Sequence, residues 1–175
     1  MPDHHDQKVR DIMMRAHDGQ MRKDGVTPYW KHPVKVRRIL RSLGYKGAIL
    51  DAALLHDVIE DGDPSVDWAT QILDAAGWEV LELVMWVTNT HWDVKPKRHI
   101  RQEWECRRLS QAPVNAKILK LADRLANLRD WDDLDAGFRS LYLNETKQLL
   151  LVTMHGDHRI HHEISKIVSR RQVLR

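Results

Sequence analysis

His56 and Asp57 stand side by side after the apolar tetrapeptide Ala52-Ala53-Leu54-Leu55. Burying an imidazole and a carboxylate together there is costly unless something pairs them, and a divalent cation would do so. Two other residues have matching chemistry: His32, opening a helix in Lys31-His32-Pro33, and Asp123, on the face of a helix that reads Lys120-Leu121-Ala122-Asp123-Arg124. Two imidazoles and two carboxylates make a mixed nitrogen and oxygen set that suits manganese or iron, and a six-coordinate ion so held keeps positions for water and phosphate. Alone, a His-Asp dipeptide is weak evidence in a chain with 11 histidines, because most such pairs are structural or solvated.

The segments that must position these groups read as helices almost throughout, since apolar residues recur at helical rather than alternating spacing. Val9, Ile12, Met13 and Ala16 form a first stripe, and Val36, Ile39, Leu40 and Leu43 a second before Gly44. Ile49, Ala52, Ala53, Leu55 and Ile59 form a third, which runs through the His-Asp pair to Asp61-Gly62. Asp63-Pro64 can cap and open a fourth helix carrying Val66, Ala69, Ile72 and Leu73, stopped by Gly77. The run Trp78–Val87 is apolar on several faces and is expected deep in the core. Residues 90–97 read as a loop with Pro96 breaking periodicity, and helices are expected over 98–109 and 113–128, the latter with Ile118, Leu121, Leu125 and Leu128 as its stripe. The stretch 130–137 is acidic and turn-like, and 138–154 and 159–173 supply closing helices. The expected fold is all-α, a compact multi-helix bundle, with one domain over 1–175 and the tryptophans packed inside it.

A chain of 175 residues is long enough for one core without disulfides. Its single cysteine, Cys106, and the lack of an early basic-then-apolar leader point to a reducing, cytoplasmic setting. Charges interrupt every apolar run before the roughly 18 residues a membrane span needs, so no membrane crossing is expected. The charge balance is 28 basic against 25 acidic residues, which suits an anionic small molecule better than nucleic acid. Oligomeric state leaves no mark in the sequence.

Larger motifs surround the His-Asp pair. From Ala16 the chain reads Ala-His-Asp-Gly-Gln-Met-Arg-Lys-Asp-Gly-Val-Thr-Pro-Tyr-Trp-Lys-His-Pro; Ala52 begins Ala-Ala-Leu-Leu-His-Asp-Val-Ile-Glu-Asp; Val87-Thr88 follows; and Lys120 begins Lys-Leu-Ala-Asp-Arg-Leu-Ala-Asn-Leu-Arg. His32, the His56-Asp57 dipeptide and Asp123 in this order resemble the HD phosphohydrolase pattern, and the four ordered motifs resemble the hydrolase domains of RelA/SpoT-type alarmone enzymes and their small stand-alone relatives. Four motifs in order are far more specific than any one of them.

The resemblance implies an HD-domain fold, with one Mn2+ (Fe2+ or another divalent metal being the alternative) held by His32, His56, Asp57 and Asp123. It further implies that Glu60 and Asp61 activate or orient the attacking water. Helical spacing from His56 and Asp57 would place Glu60 on the same side, although an acidic, solvated helix end reads the same way. Arg22 and Lys23 match the pair that grips nucleotide and phosphates, through a planar fork and a mobile point charge respectively; outside the motif they read as ordinary surface cations. Asn127 matches a nucleotide-contacting asparagine and Thr146, in Glu145-Thr146, a further substrate contact. Gly19, Gly25 and Pro28 shape the substrate loop with Tyr29 packed beneath it, and His17 has a supporting rather than ligating role. His155, His158, His161 and His162 read as a solvated helix face.

The chain departs from the family pattern at Asn89, where lysine is common, and at Ala126, where histidine or tyrosine is common; both changes bear on nucleotide selectivity and leave the ligand set intact. The implied reaction is metal-dependent hydrolysis of the 3′-pyrophosphate of ppGpp or pppGpp to GDP or GTP and pyrophosphate. At this length a synthetase domain does not fit beside it, so degradation without synthesis is expected. The alternatives are an HD-type nucleotidase or pyrophosphatase acting on an adenosine alarmone or NADPH, or a non-catalytic alarmone-binding module.

Overall fold

A computed structural model describes residues 4–89, 96–131 and 136–173. These residues form ten helical segments, and the one β-type contact among them is an isolated antiparallel bridge between Met21 and Pro28. The all-α expectation holds. The chain divides into two compact units, Met1–Thr90 and His91–Arg175.

The first unit contains α1 (His4–Ala16), α2 (Lys31–Ser42), α3 (Ala48–Leu55), α4 (Val58–Asp61), α5 (Trp68–Ala76) and α6 (Trp78–Val87). Central α3 packs on α1, α2 and α6, which is why its Ala52, Ala53, Leu54 and Leu55 are all fully buried. The stripe Val9, Ile12, Met13 and Ala16 is buried on α1, and Val36, Ile39 and Leu40 on α2.

Three expectations need correction here. The third stripe does not form one unbroken helix to Ile59: α3 ends at Leu55, and a single turn, α4, starts at Val58. At this break the His56 ring Nδ1 lies 3.0 Å from the Ala53 carbonyl. An unbroken helix would offer that carbonyl to the amide of Asp57, so the side chain competes with the backbone for it. The fourth helix does not open at Asp63-Pro64. Asp63 instead accepts the amide and hydroxyl of Ser65 in a turn. Asp67 is the residue that caps α5, accepting the Thr70 amide at 3.0 Å, and Gly77 stops that helix as expected. Finally, α6 buries Val80, Leu81, Leu83, Val84 and Val87 but leaves Trp78, its first residue, 67% exposed. Of the other described tryptophans, Trp68 and Trp131 are buried and Trp30, Trp86 and Trp104 half-buried.

The second unit contains α7 (Arg98–Gln111), α8 (Val114–Arg129), α9 (Ala136–Val152) and α10 (His158–Val173). Within it α10 packs on α8 and α9, and α7 on α9. Helix α8 is buried nearly all round and includes the expected stripe Ile118, Leu121, Leu125 and Leu128. The expected loop over 90–97 falls mostly outside the described residues, as does 132–135 of the acidic turn. No described helix is long and apolar enough to cross a membrane.

Candidate metal centre

His32 lies in the first turn of α2, where Pro33 is tolerated because amides there have no intrahelical acceptor. Its own amide donates to the Tyr29 carbonyl at 2.8 Å, and its side chain is buried. The break after α3 turns His56 and Asp57 toward it. The ring centroids of His32 and His56 are 5.3 Å apart. Asp57 Oδ2 sits 3.0 Å from His56 Nε2 and 3.8 Å from His32 Nε2. One donor atom from each of His32, His56 and Asp57 lies within 4.8 Å of the others.

A carbonyl can only accept, so the contact to Ala53 assigns the His56 proton to Nδ1 and leaves Nε2 a lone pair in the neutral ring. That lone pair and a carboxylate oxygen face each other, and this arrangement is favourable only with positive charge between them, a proton or a metal ion. The His56 backbone contact also fixes ring orientation, as is usual for a ligating histidine. The donor set fits a divalent ion.

Asp57 and Asp61 share a partner: the Tyr29 hydroxyl is 2.8 Å from Asp57 Oδ2 and 3.0 Å from Asp61 Oδ2. Asp61 ends α4, with its amide on the Asp57 carbonyl at 2.8 Å. Its side chain reaches solvent, but its carboxyl is crowded by this turn, and burial together with the Asp57 charge pushes its pKa up to about 6 against the pull of the Tyr29 hydrogen bond. A bound cation would oppose that rise. Glu60, one residue earlier, is exposed and accepts the Asn89 backbone amide at 3.0 Å and side-chain amide at 3.1 Å.

The loop between α1 and α2 brings Arg22 and Lys23 to this region. It is pinned by the Met21–Pro28 bridge, by the Arg22 amide on the Thr27 carbonyl at 2.7 Å, and by Asp24, which accepts the Val26 and Thr27 amides. Gly25 adopts φ +73° at its tip, a conformation costly for side-chain-bearing residues. The Arg22 guanidinium lies 5.7 Å from the Tyr29 ring centroid, and Lys23 is exposed. Buried His17 stacks on Tyr29 at 4.7 Å and pairs through Nδ1 with Gln20 Oε1 at 2.9 Å. Burial holds His17 below the ordinary histidine range.

Asp123, Asn127 and Thr146 belong to the second unit. The Asn127 amide donates to Asp123 Oδ1 at 2.7 Å, and the Lys120 ammonium lies 3.4 Å from Asp123 Oδ2 and 2.8 Å from Glu105. Thr146 is fully buried; its hydroxyl donates to the Tyr142 carbonyl at 2.7 Å and accepts from Arg124 at 3.2 Å. In this structure it therefore supports Arg124. Glu145 accepts a two-pronged contact from Arg98 at 2.7 and 2.9 Å. Of the tail histidines, His155, His158 and His162 are exposed, and His161 contacts the Leu150 carbonyl at 3.2 Å.

Sequence reasoning missed the Tyr29 hydroxyl, the Gln20 link and the Glu105–Lys120 pair. Only Lys120 carried a signal, its i,i+3 spacing from Asp123.

The family model described as HD domain matches residues 10–159. The human guanosine-3′,5′-bis(diphosphate) 3′-pyrophosphohydrolase MESH1 (Homo sapiens) is 39% identical over 126 residues, 70% of this chain and 67% of that protein. A probable guanosine-3′,5′-bis(diphosphate) 3′-pyrophosphohydrolase from Synechocystis is 37% identical over 136 residues, which is 76% of this chain but 17% of that much longer protein. The solved structure of a metazoan SpoT orthologue that hydrolyses ppGpp matches with TM-score 0.86 and 26% identity, over 98% of this chain and 97% of that one. The matched stretch encloses every residue from Arg22 to Thr146 considered above, including the clustered His32, His56 and Asp57, and the chain therefore belongs to the HD domain family.

Proposed function

We propose that this protein is a metal-dependent 3′-pyrophosphohydrolase of ppGpp and pppGpp, releasing GDP or GTP and pyrophosphate. The observation that carries this reading is the convergence of His32, His56 and Asp57 donor atoms beside Asp61 and Glu60. The relatives named for this activity support the choice of substrate. Mn2+ is the proposed ion, with Fe2+ or another divalent ion as substitute. The sequence motif around Asp123 supports it as the fourth ligand.

When bound, the ion would supply Lewis acidity that makes water nucleophilic near neutral pH and offsets phosphate charge. The chain's own residues do the rest. Asp61 and Glu60 accept the proton of a water that adds to the phosphorus attached to the ribose 3′-oxygen. The bond from that phosphorus to the 3′-oxygen breaks, and the oxygen leaves as the nucleotide hydroxyl once protonated. Arg22 and Lys23 hold the phosphates, and Asn127 and Thr146 are the proposed nucleotide-side residues, Thr146 acting through the Arg124 guanidinium that its hydroxyl supports. Within one HD-type domain spanning the chain, acting in the cytoplasm, this makes a degradative enzyme.

Chromatography of products tests the proposal. Manganese-loaded protein should convert ppGpp to GDP and pyrophosphate, and a chelator should abolish the reaction until Mn2+ is restored. Absence of GDP and pyrophosphate with Mn2+, Fe2+ and other divalent ions would overturn it. Parallel assays with an adenosine alarmone and NADPH measure the selectivity on which Asn89 and Ala126 bear.

A further inference from the structure

The Tyr29 hydroxyl occupies a junction that the reaction, as described so far, does not use. Its two carboxylate contacts, at 2.8 and 3.0 Å, join a ligand of the candidate metal centre to the acid at the end of α4. Asp57 Oδ2, the atom it touches, is the same oxygen that lies 3.0 Å from His56 Nε2. A carboxylate oxygen has two lone-pair directions, so one can serve a cation while the other receives the hydroxyl proton.

The ring is held firmly enough to direct that hydroxyl. His17 stacks on one side at 4.7 Å, and His32 meets it edge-on at 6.0 Å. The Tyr29 amide donates to the Gln20 carbonyl at 2.9 Å, and the Gln20 side chain donates to the Asp61 carbonyl at 2.7 Å. The loop that carries Arg22 and Lys23 is thus strapped to the end of α4 at two points, one through a side-chain amide and one through a phenol.

From this geometry we infer that Tyr29 is a positioning residue: its single hydroxyl proton, shared between the two carboxylates in a three-centre hydrogen bond, holds Asp57 toward the divalent ion and Asp61 toward the attacking water, and so links the phosphate-gripping loop to the metal. This assignment rests on the hydrolase reading above. Tyrosine is required for it because phenylalanine would fill the same space between His17 and His32 and donate nothing to either carboxylate.

The test is Tyr29→Phe in the full chain, with Mn2+ affinity of the stripped protein measured by calorimetry and turnover measured at saturating Mn2+. Loss of a partner that orients a ligating carboxylate typically weakens metal binding or activity by about 10- to 100-fold. Affinity should fall on that scale with little change in the metal-free melting temperature, and kcat should remain reduced when metal is saturating, because Asp61 has also lost its share of that proton. If Tyr29→Phe lowers the metal-free melting temperature, Gln20→Leu serves as the comparison, since it loosens the same strap and leaves the hydroxyl in place. A loss of affinity confined to Tyr29→Phe supports the assignment, and equal losses in both variants overturn it. Wild-type affinity and kcat in Tyr29→Phe also overturn it. A wild-type protein that binds no divalent ion overturns the hydrolase reading itself.

Discussion

Replacing Glu105 with glutamine tests whether the charged interior of the second unit is held together as the structure indicates. Glu105 on α7 is buried, and its carboxylate lies 2.8 Å from the ammonium of Lys120 on α8. At that distance, with an effective dielectric of about 20, the gross attraction is about 6 kcal/mol. Breaking a buried pair from one side costs about 3–5 kcal/mol, because the remaining charge is left uncompensated. Asp123, 3.4 Å from the same ammonium, retains part of the compensation, and the glutamine carbonyl can still accept a hydrogen bond. The expected loss is therefore at the lower end, about 3 kcal/mol. For a chain of this size that corresponds to a melting temperature lower by about 6–12 °C. Burial pushes the Glu105 carboxyl up, but the Lys120 and Arg124 charges hold it below its ordinary value of 4.5. A depressed folded-state pKa gives stability that is present above the unfolded value and lost as pH falls through the folded one. The gap between wild type and Glu105→Gln should therefore be full at pH 7 and close progressively below about 4.5. Calorimetric melts across that range decide the matter. A variant melting within about 2 °C of wild type at pH 7, or a gap independent of pH, would refute the reasoning.

Two further predictions concern the reaction. Glu60→Gln should retain its metal and lose turnover by about 10²- to 10⁴-fold, the usual scale for acid–base assistance; near-normal kcat with full metal would reduce Glu60 to a partner of Asn89. Asp123→Ala should carry less metal per chain than wild type after identical loading, and full occupancy by elemental analysis would remove Asp123 from the ligand set.

The helical fold was readable because the apolar stripes of α1, α2 and α8 keep helical spacing, and their positions are buried as expected except Leu43, the half-buried residue that caps α2. Two ends were misjudged, one from spacing and one from a capping signal. Helix α3 stops at Leu55, where a histidine side chain meets a backbone acceptor, a contact that hydrophobic periodicity does not register. Helix α5 begins at Trp68 because both Asp63 and Asp67 are capable caps and only the folded chain selects between them. Among the site residues, the convergence of His32, His56 and Asp57 matched the reading from residue type and order. The Tyr29 hydroxyl did not announce itself, since its partners lie 28 and 32 positions away and no local spacing encodes them. For Asn127, the resemblance pointed to substrate, whereas the structure shows its amide on Asp123; a polar residue one helical turn from an aspartate can serve either end.

The interruption at His56 also bears on how such a protein can age under mutation. At the break a ring nitrogen meets the Ala53 carbonyl, and a residue lacking that nitrogen would leave this carbonyl to the Asp57 amide alone. Losing His56 would then remove a candidate metal donor and a competitor for the backbone together, so that loss of the proposed activity need not cost helix regularity.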